Sequence, residues 1–212
     1  MGNLLPTRYK TLSGSLKNIN PLNIMTLIAF NKPYGVICQF SPDGKHPTLK
    51  DFIDLPNVYP AGRLDTDSEG LLLLTDNGKL QHQITHPKRH IAKTYLAQVE
   101  GVATDEQIQQ FRQGIELKEF KTKPAIAQII SEPQWLWQRE PPIRYRKSVP
   151  DSWLQITISE GKNRQVRRMC AATGLPCLRL VRCQIGVLHI QDLNLGLGEW
   201  CEVSEKQVFQ AA

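Results

Sequence analysis

The sequence predicts an α+β fold, a mixed and largely antiparallel sheet with a few flanking helices. Short apolar or alternating runs recur along the chain and outnumber the helical patterns. The connections between them are short, which makes neighbouring strands antiparallel. Helix start and stop signals bracket only brief stretches.

Residues 1–24 form an acid-free tail with three basic residues and several Asn, Ser, Gly and Pro. The tail lacks the apolar core of a secretory signal and the apolar content to pack. It is expected to be a flexible basic arm, with Met25 an alternative start of translation. Residues 26–30 read as a buried strand, Lys32-Pro33-Tyr34-Gly35 as a turn and 37–40 as a continuation of the sheet. Thr48 is placed to cap a short helix carrying Leu49, Phe52 and Ile53. Leu71 to Thr75 is an apolar run closed by Asn77-Gly78, too short for a helix and therefore a buried strand. Asn77 caps a helix over 78–85 that Pro87 stops.

A strand over 93–99 puts Tyr95, Ala97 and Val99 on one face. Thr104 with Gln107 makes a capping box for a helix to Arg112, ended by Gly114. Residues 115–120 and 125–131 read as strands and 133–150 as a long loop. Leu154, Ile156 and Ile158 then alternate with Trp153, Gln155, Thr157 and Ser159, the pattern of a half-buried strand. A helix over 163–173, stopped by Gly174, buries Val166, Met169 and Cys170 and turns Arg164, Arg167 and Arg168 elsewhere. Strands over 178–181, 187–190 and 200–203 complete a folded domain expected at 25–206, with a C-terminal tail at 207–212.

The 212 residues suit one large domain or two small lobes. A hydrophobic content of 41% builds a core, and no apolar run approaches the ~20 residues of a membrane-spanning helix. Five scattered cysteines without a C-x-x-C pair point to a reducing, cytoplasmic setting rather than a disulfide framework or a zinc site. The net charge of +6 is unevenly spread: from Arg139 to Arg182 there are ten Lys or Arg and three Asp or Glu, whereas from Gln98 to Phe120 five acids stand against two bases. Glycines, aromatics and an amphipathic helix interleave the basic segment, so it suits a phosphate backbone. Trp135 and Trp137, in the long loop with Arg139, Arg144, Arg146 and Lys147, fit a core plug and a base-stacking surface equally well.

The stretch from Ala61 to Gly78 organises the rest. A loop rich in carboxylates is fastened to the core strand at Leu71, a common way to aim a reactive side chain. Three readings compete: a solvated turn, a calcium loop, and a catalytic carboxylate at Asp65 beside the cation Arg63. Asp65, Asp67, Glu69 and Gly70 match the first half of an EF-hand pattern, but Leu71 to Leu74 leave the ninth place without a ligand and Pro60 and Gly62 exclude a preceding helix. His82, His86 and His90 recur every four residues, yet Pro87 breaks their face and no carboxylate sits among them. No metal is expected at either place.

Gly62-Arg63-Leu64-Asp65 followed by Glu69-Gly-Leu-Leu-Leu-Leu-Thr-Asp-Asn-Gly78, seventeen residues in all, resembles the active-site motif of the RNA pseudouridine synthases. Its companions occur in the family's order: Asn31-Lys32-Pro33-Tyr34-Gly35-Val36, Lys93-Thr94-Tyr95, and Gly161-Lys162-Asn163-Arg164-Gln165-Val166-Arg167-Arg168-Met169. The subgroup with a small-subunit-type catalytic domain fits best. The insert from Trp135 to Ile143 narrows the match towards the E-type branch that acts on large-subunit ribosomal RNA. That subgroup often carries an S4-type RNA-binding domain ahead of the catalytic one, and the 25 residues before Thr26 cannot hold it.

The resemblance implies two lobes around a central cleft, and isomerisation of one uridine of 23S ribosomal RNA, free or in an assembling large subunit, to pseudouridine. It implies no cofactor, since the reaction has no net redox change or hydrolysis, and a monomer without a membrane partner. Asp65 takes the place of the essential carboxylate. Tyr95 takes that of the tyrosine that stacks on the flipped base, and Arg167 that of the basic residue that keeps the carboxylate ionised, with Arg168 adjacent. Arg63 matches the residue that fills the space left by the base. Lys93, Lys162, Arg164, Arg168, Arg144, Arg146 and Lys147 are the expected RNA contacts. Two other classes remain: a noncatalytic RNA-binding or assembly protein on the same fold, and a glycoside hydrolase pairing Asp65 with Asp67 or Glu69.

Overall fold

The computed structural model describes residues 25–143 and 149–210. The expected N-terminal arm, Arg144, Arg146, Lys147 and the last two residues lie outside the described residues. Among the described residues eleven strands and four α-helices follow one another as β1 (Leu27–Lys32), β2 (Tyr59–Pro60), β3 (Glu69–Thr75), α1 (Gly78–Thr85), β4 (Lys93–Glu100), α2 (Asp105–Gln113), β5 (Glu116–Leu117), β6 (Phe120–Lys121), β7 (Ile126–Ile130), β8 (Asp151–Ile158), α3 (Gln165–Ala172), β9 (Cys177–Ile185), β10 (Leu188–His189), β11 (Trp200–Glu202) and α4 (Glu205–Phe209).

The main sheet runs β11-β1-β3-β9-β4-β8-β7, with β2 added on β3 and β10 on β9. Every neighbouring pair in it is antiparallel except β3 and β9, which run parallel through Glu69↔Val181 and Gly70↔Arg182. Two antiparallel halves therefore meet along one short parallel seam, and the loop before β3 opens directly above it. The α+β expectation holds.

β3 is buried along its whole length because it lies between β1 and β9 and is covered on both faces. Leu71 and Leu73 pack with α1 and α4 through Leu80, Ile84 and Val208, while Leu72 and Leu74 pack with Phe30, Leu49 and Ile53 on the other face. Each fully buried leucine contributes about 2 kcal/mol, which anchors the loop ahead of it. Gly70 has φ +98°, and a Cβ there would meet the Arg182 carbonyl oxygen at 2.4 Å, so the seam closes only with glycine. A third core under β4, β7 and β8 receives α2 and α3 through Ile108, Phe111, Val166 and Met169.

The caps act as the sequence predicts. Asn77 accepts from the backbone N–H of Lys79 and Leu80, and the Thr104–Gln107 box opens α2. Four segments differ from expectation. Residues 37–40 do not extend the sheet and contribute one isolated bridge, Ile37↔Thr48, because both edges of β1 are taken by β3 and β11. The strand expected at 115–120 is a hairpin of β5 and β6 that turns at Lys118-Glu119. Helix α3 starts two residues late, at Gln165, with Arg164 ahead of it in the left-handed region at φ +49°. The chain also stays packed beyond residue 206: α4, capped by Ser204 and Gln207, buries Val208.

Candidate active site

The loop from Gly62 to Ser68 is held from two sides and by a turn of its own. Gly35 N–H donates to the Thr66 carbonyl at 2.8 Å, Ser68 N–H to the Asp65 carbonyl at 3.0 Å, and Arg167 Nη2 to the Asp67 carbonyl at 2.6 Å. The turn after β1 is braced in its own right. Lys32 is buried, its Nζ donates to the Pro33 and Val36 carbonyls at 2.9 and 2.7 Å, and burial pushes its pKa down to about 8.

The three carboxylates of the stretch go to different places. Asp65 stands on the cleft wall, one-third exposed, with Arg164 Nη1 3.7 Å away. Asp67 accepts two hydrogen bonds from Arg164, at 3.0 and 2.8 Å, and has Arg167 Nε at 3.4 Å. Burial works to raise the Asp67 pKa, but the Arg164 hydrogen bonds and the Arg167 charge outweigh it and hold the group below the ordinary carboxylate value. Glu69 turns into the core, gripped by Arg179 Nε and Nη2 at 2.9 Å each and by Trp137 Nε1 at 2.8 Å.

This division changes one sequence expectation. Arg167 makes its polar contacts with Asp67 and the Cys177 carbonyl, and the guanidinium nearest Asp65 belongs to Arg164. The late start of α3 is the cause: it leaves Arg164 off the helix and over the loop. Asp65 and Asp67 both lie in the loop and converge on one arginine. Among the described residues no group of three or more His, Cys, Asp or Glu side chains is placed to hold a metal ion.

Asp65 opens onto a cleft of about 300 Å³ whose lining also includes Arg63, Lys93, Tyr95, Arg164 and Arg182. Tyr95 is only 8% exposed and pairs across the sheet with Arg182 of β9. Thr94 pairs with Gln184, so Cys183 is an extra residue in β9 and a bulge lies next to the cleft. Such bulges re-aim neighbouring side chains. Lys93 is partly buried, its Nζ donates to the Ile91 carbonyl, and burial together with the Arg182 charge lowers its pKa to about 8.

The exposed rim carries Arg63, Lys162 and Arg164. Lys162 Nζ stands 3.5 Å above the Phe120 ring. Arg168 is drawn to the same hairpin, ion-paired to Glu119 and 5.3 Å from Phe120. The His82 and His86 rings meet tilted at 43° with centroids 4.4 Å apart, His86 at the cleft, while His90 contacts Lys123 instead. Trp135 and Trp137 are half-buried against the α1 and α4 core, and the indole N–H of Trp137 is occupied by Glu69, so the plug is the better description of this pair.

Four residues that matter here carry no local signal in the sequence. Arg179 and Arg182 count with the basic surface segment but are buried. Gln165 is buried at the head of α3, where its Oε1 accepts from Lys162 N–H and its Nε2 donates to Glu160. Ser68 lines the cleft with a buried hydroxyl that has no partner.

A loop carboxylate held among guanidiniums, a buried tyrosine beside it and a cleft at the seam of a two-part mixed sheet match a known class. Residues 26–172 fit the family model of RNA pseudouridylate synthases, and the chain belongs to that family. It is 52% identical over 178 residues to ribosomal large subunit pseudouridine synthase E of Vibrio vulnificus, spanning 84% of this chain and 75% of that protein. The protein of the same name from Xanthomonas axonopodis pv. citri is 52% identical over 169 residues, or 79% of this chain and 89% of its own. Ribosomal small subunit pseudouridine synthase A of Escherichia coli is 37% identical over 183 residues, 84% of this chain and 70% of that one. A pseudouridylate synthase crystal structure aligns with a TM-score of 0.72 at 33% identity, covering 87% of this chain and 73% of that chain.

Proposed function

We propose that the chain isomerises a specific uridine of 23S ribosomal RNA to pseudouridine, with Asp65 as the carboxylate that engages the flipped-out nucleotide at its sugar. The observation that carries this is the position of Asp65: on the wall of a cleft that also takes in Tyr95 and Lys93, beside Arg164 and directly before the buried β3. The large-subunit substrate rests on the 52% identity to synthases of that name. Arg164 orients the Asp65 carboxylate, and Arg164 and Arg167 together hold Asp67 ionised beside RNA phosphates. Tyr95 stacks on the base, and Arg63 fills the place the base leaves in the RNA. Lys93, Lys162, Arg164 and Arg168 contribute phosphate contacts, as do Arg144, Arg146 and Lys147 from the part of the insert outside the described residues.

The substrate is free 23S RNA or a large-subunit assembly intermediate, and the protein acts as a monomer in the cytoplasm, where five free cysteines are kept reduced. Among the described residues no helix is long and apolar enough to cross a membrane.

Asp65→Asn tests the assignment. It keeps shape while removing the charge and the nucleophilic oxygen. Release of tritium from C5 of labelled uridine in 23S RNA should fall below detection while filter binding persists. Wild-type protein that binds but releases no tritium would instead make the chain an assembly factor, and free uracil in solution would make it a hydrolase. An Asp65→Asn protein as fast as wild type removes Asp65 from the chemistry.

A further inference from the structure

Arg182 has no role in the site as described so far, yet it lies at its centre. β9 registers it against Gly70 of β3 on one side and Tyr95 of β4 on the other. Residues directly opposite in an antiparallel pair share a face, so Arg182 and Tyr95 address the same cleft. Arg182 is 2% exposed, among the largest fully buried side chains of the protein. Its Nε donates to the Leu71 carbonyl at 2.8 Å, which fixes the guanidinium, while its Nη2 is buried without a partner. No carboxylate lies within ion-pairing distance of it among the described residues. Its charge is felt nearby, where it helps to depress the pKa of Lys93.

A buried guanidinium without a counter-charge is costly, and a fixed donor without an acceptor is rare. Both are accounted for by a ligand that brings an electron-rich acceptor to the bottom of the cleft. Ser68, the second residue of the cleft with an unpartnered buried polar atom, points to the same ligand. Depth decides which part of a nucleotide that is. The exposed Arg63, Lys162 and Arg164 stand at the rim, where phosphates stay hydrated, and a nucleotide entering base-first carries its pyrimidine ring to the floor.

We propose that Arg182 is the uracil receptor: its guanidinium hydrogen-bonds a ring carbonyl of the flipped base and stabilises the charge the ring acquires when the glycosidic bond opens. This rests on the cleft being the uridine site. When N1–C1′ breaks, its electron pair stays with the ring, delocalised over N1 and the two carbonyl oxygens. The detached ring is then a captive anion, held while it turns to present C5. C5 bonds C1′, the C5 proton passes to water, and N1 takes up a proton from water. A fixed cation at a carbonyl acts on the charge that develops in this sequence, which is where a preorganised donor has its largest effect.

The test is a single-turnover reaction at saturating RNA with Arg182→Met and Arg182→Lys, each run on uridine and on 5-fluorouridine at the target position, and read for both as cleavage of the N1–C1′ bond, since a fluorinated C5 has no proton to release and cannot go on to pseudouridine. Fluorine withdraws electrons and makes the ring anion less basic, so it needs the guanidinium less. Arg182→Met should slow uridine by ~10²-fold or more, slow the fluorinated base markedly less, and leave filter binding within a factor of about two. Arg182→Lys, which keeps the charge, should fall between and serves as the decisive variant if the methionine protein does not fold. Equal slowing of both bases makes Arg182 a packing residue and overturns the proposal. Weakened RNA binding with an unchanged saturating rate places it on a phosphate and does the same. Active wild-type protein with fully active Arg182 variants removes this assignment alone, whereas inactive wild-type protein removes the uridine reaction with it.

Discussion

Asp67 and Arg164 form a two-pronged ion pair, with Arg164 Nη2 2.8 Å from Asp67 Oδ2, and Asp65 stands 3.7 Å from Nη1 of the same guanidinium, the nitrogen that donates to Asp67 Oδ1. Asp67 thus holds the arginine that faces Asp65. Asp67→Asn should lower melting stability by only about 1 kcal/mol, since the pair is partly exposed and screened by solvent. Turnover should fall ~10-fold or more, because a displaced arginine loosens the carboxylate it orients. RNA binding should be equal or slightly tighter, one negative charge being gone. Unchanged turnover in the tritium assay would assign Asp67 to loop structure alone.

Glu69 is the stability counterpart. Both its oxygens are engaged by Arg179, and one also by Trp137, at 1% exposure for Glu69 and 5% for Arg179. Glu69→Gln strands a buried guanidinium and should cost ~3 kcal/mol or more in chemical denaturation. Trp137→Phe removes one hydrogen bond and some packing and should cost about 1 kcal/mol. A Glu69→Gln protein as stable as wild type would show that water reaches Arg179.

Tyr95→Phe keeps the ring and the packing of β4. If the hydroxyl moves a proton, single-turnover rate drops ~10²-fold with affinity nearly unchanged. A rate like wild type confines Tyr95 to stacking.

Lys93 should link RNA binding to proton uptake. Its pKa is lowered to about 8, so near that pH a good part of the free protein has the neutral amine. Phosphate nearby favours the charged form, so binding raises the pKa and takes up a proton. Affinity then declines as pH rises through this range and levels off well below it. Calorimetry in buffers of different ionisation enthalpy reads the uptake directly, and Lys93→Arg, always charged, should abolish it. The same slope in both proteins would point to another titrating group.

Most of the scaffold was legible because its signals are local. Leu71 to Leu74 with Asn77 after them, and Thr104 with Gln107, declare an element and its boundary within a few residues. The failures are of two kinds. Lys118-Glu119 turns a hairpin without Gly, Pro or Asn, so nothing in the sequence marks the turn. Ser204 with Gln207 repeats the box that opens α2, but α4 is too short to show periodicity around Val208. Motif and order point to Asp65, Tyr95 and the basic helix, which the fold brings to one cleft. They do not point to the partners, because Arg164 meets Asp67 across 97 positions, Arg179 meets Glu69 across 110, and Arg182 meets Leu71 across 111. A charge of that kind looks the same in the sequence whether it faces RNA or another part of its own chain.

The parallel seam also sets when the enzyme becomes one. β1, β3 and α1 leave the ribosome early, carrying Asp65, while Arg164, Arg167 and all of β9 are still to be made. Contacts that far apart form only after a long loop has closed, and they form late. An incomplete chain therefore holds the Asp65 loop without Arg164 and Arg167 beside it, and on the proposed roles of these residues it is expected to be inactive towards RNA. Competence arrives with the last third of the chain, in step with the closing of the sheet. In refolding experiments, isomerase activity should return with the slowest structural phase and never ahead of it.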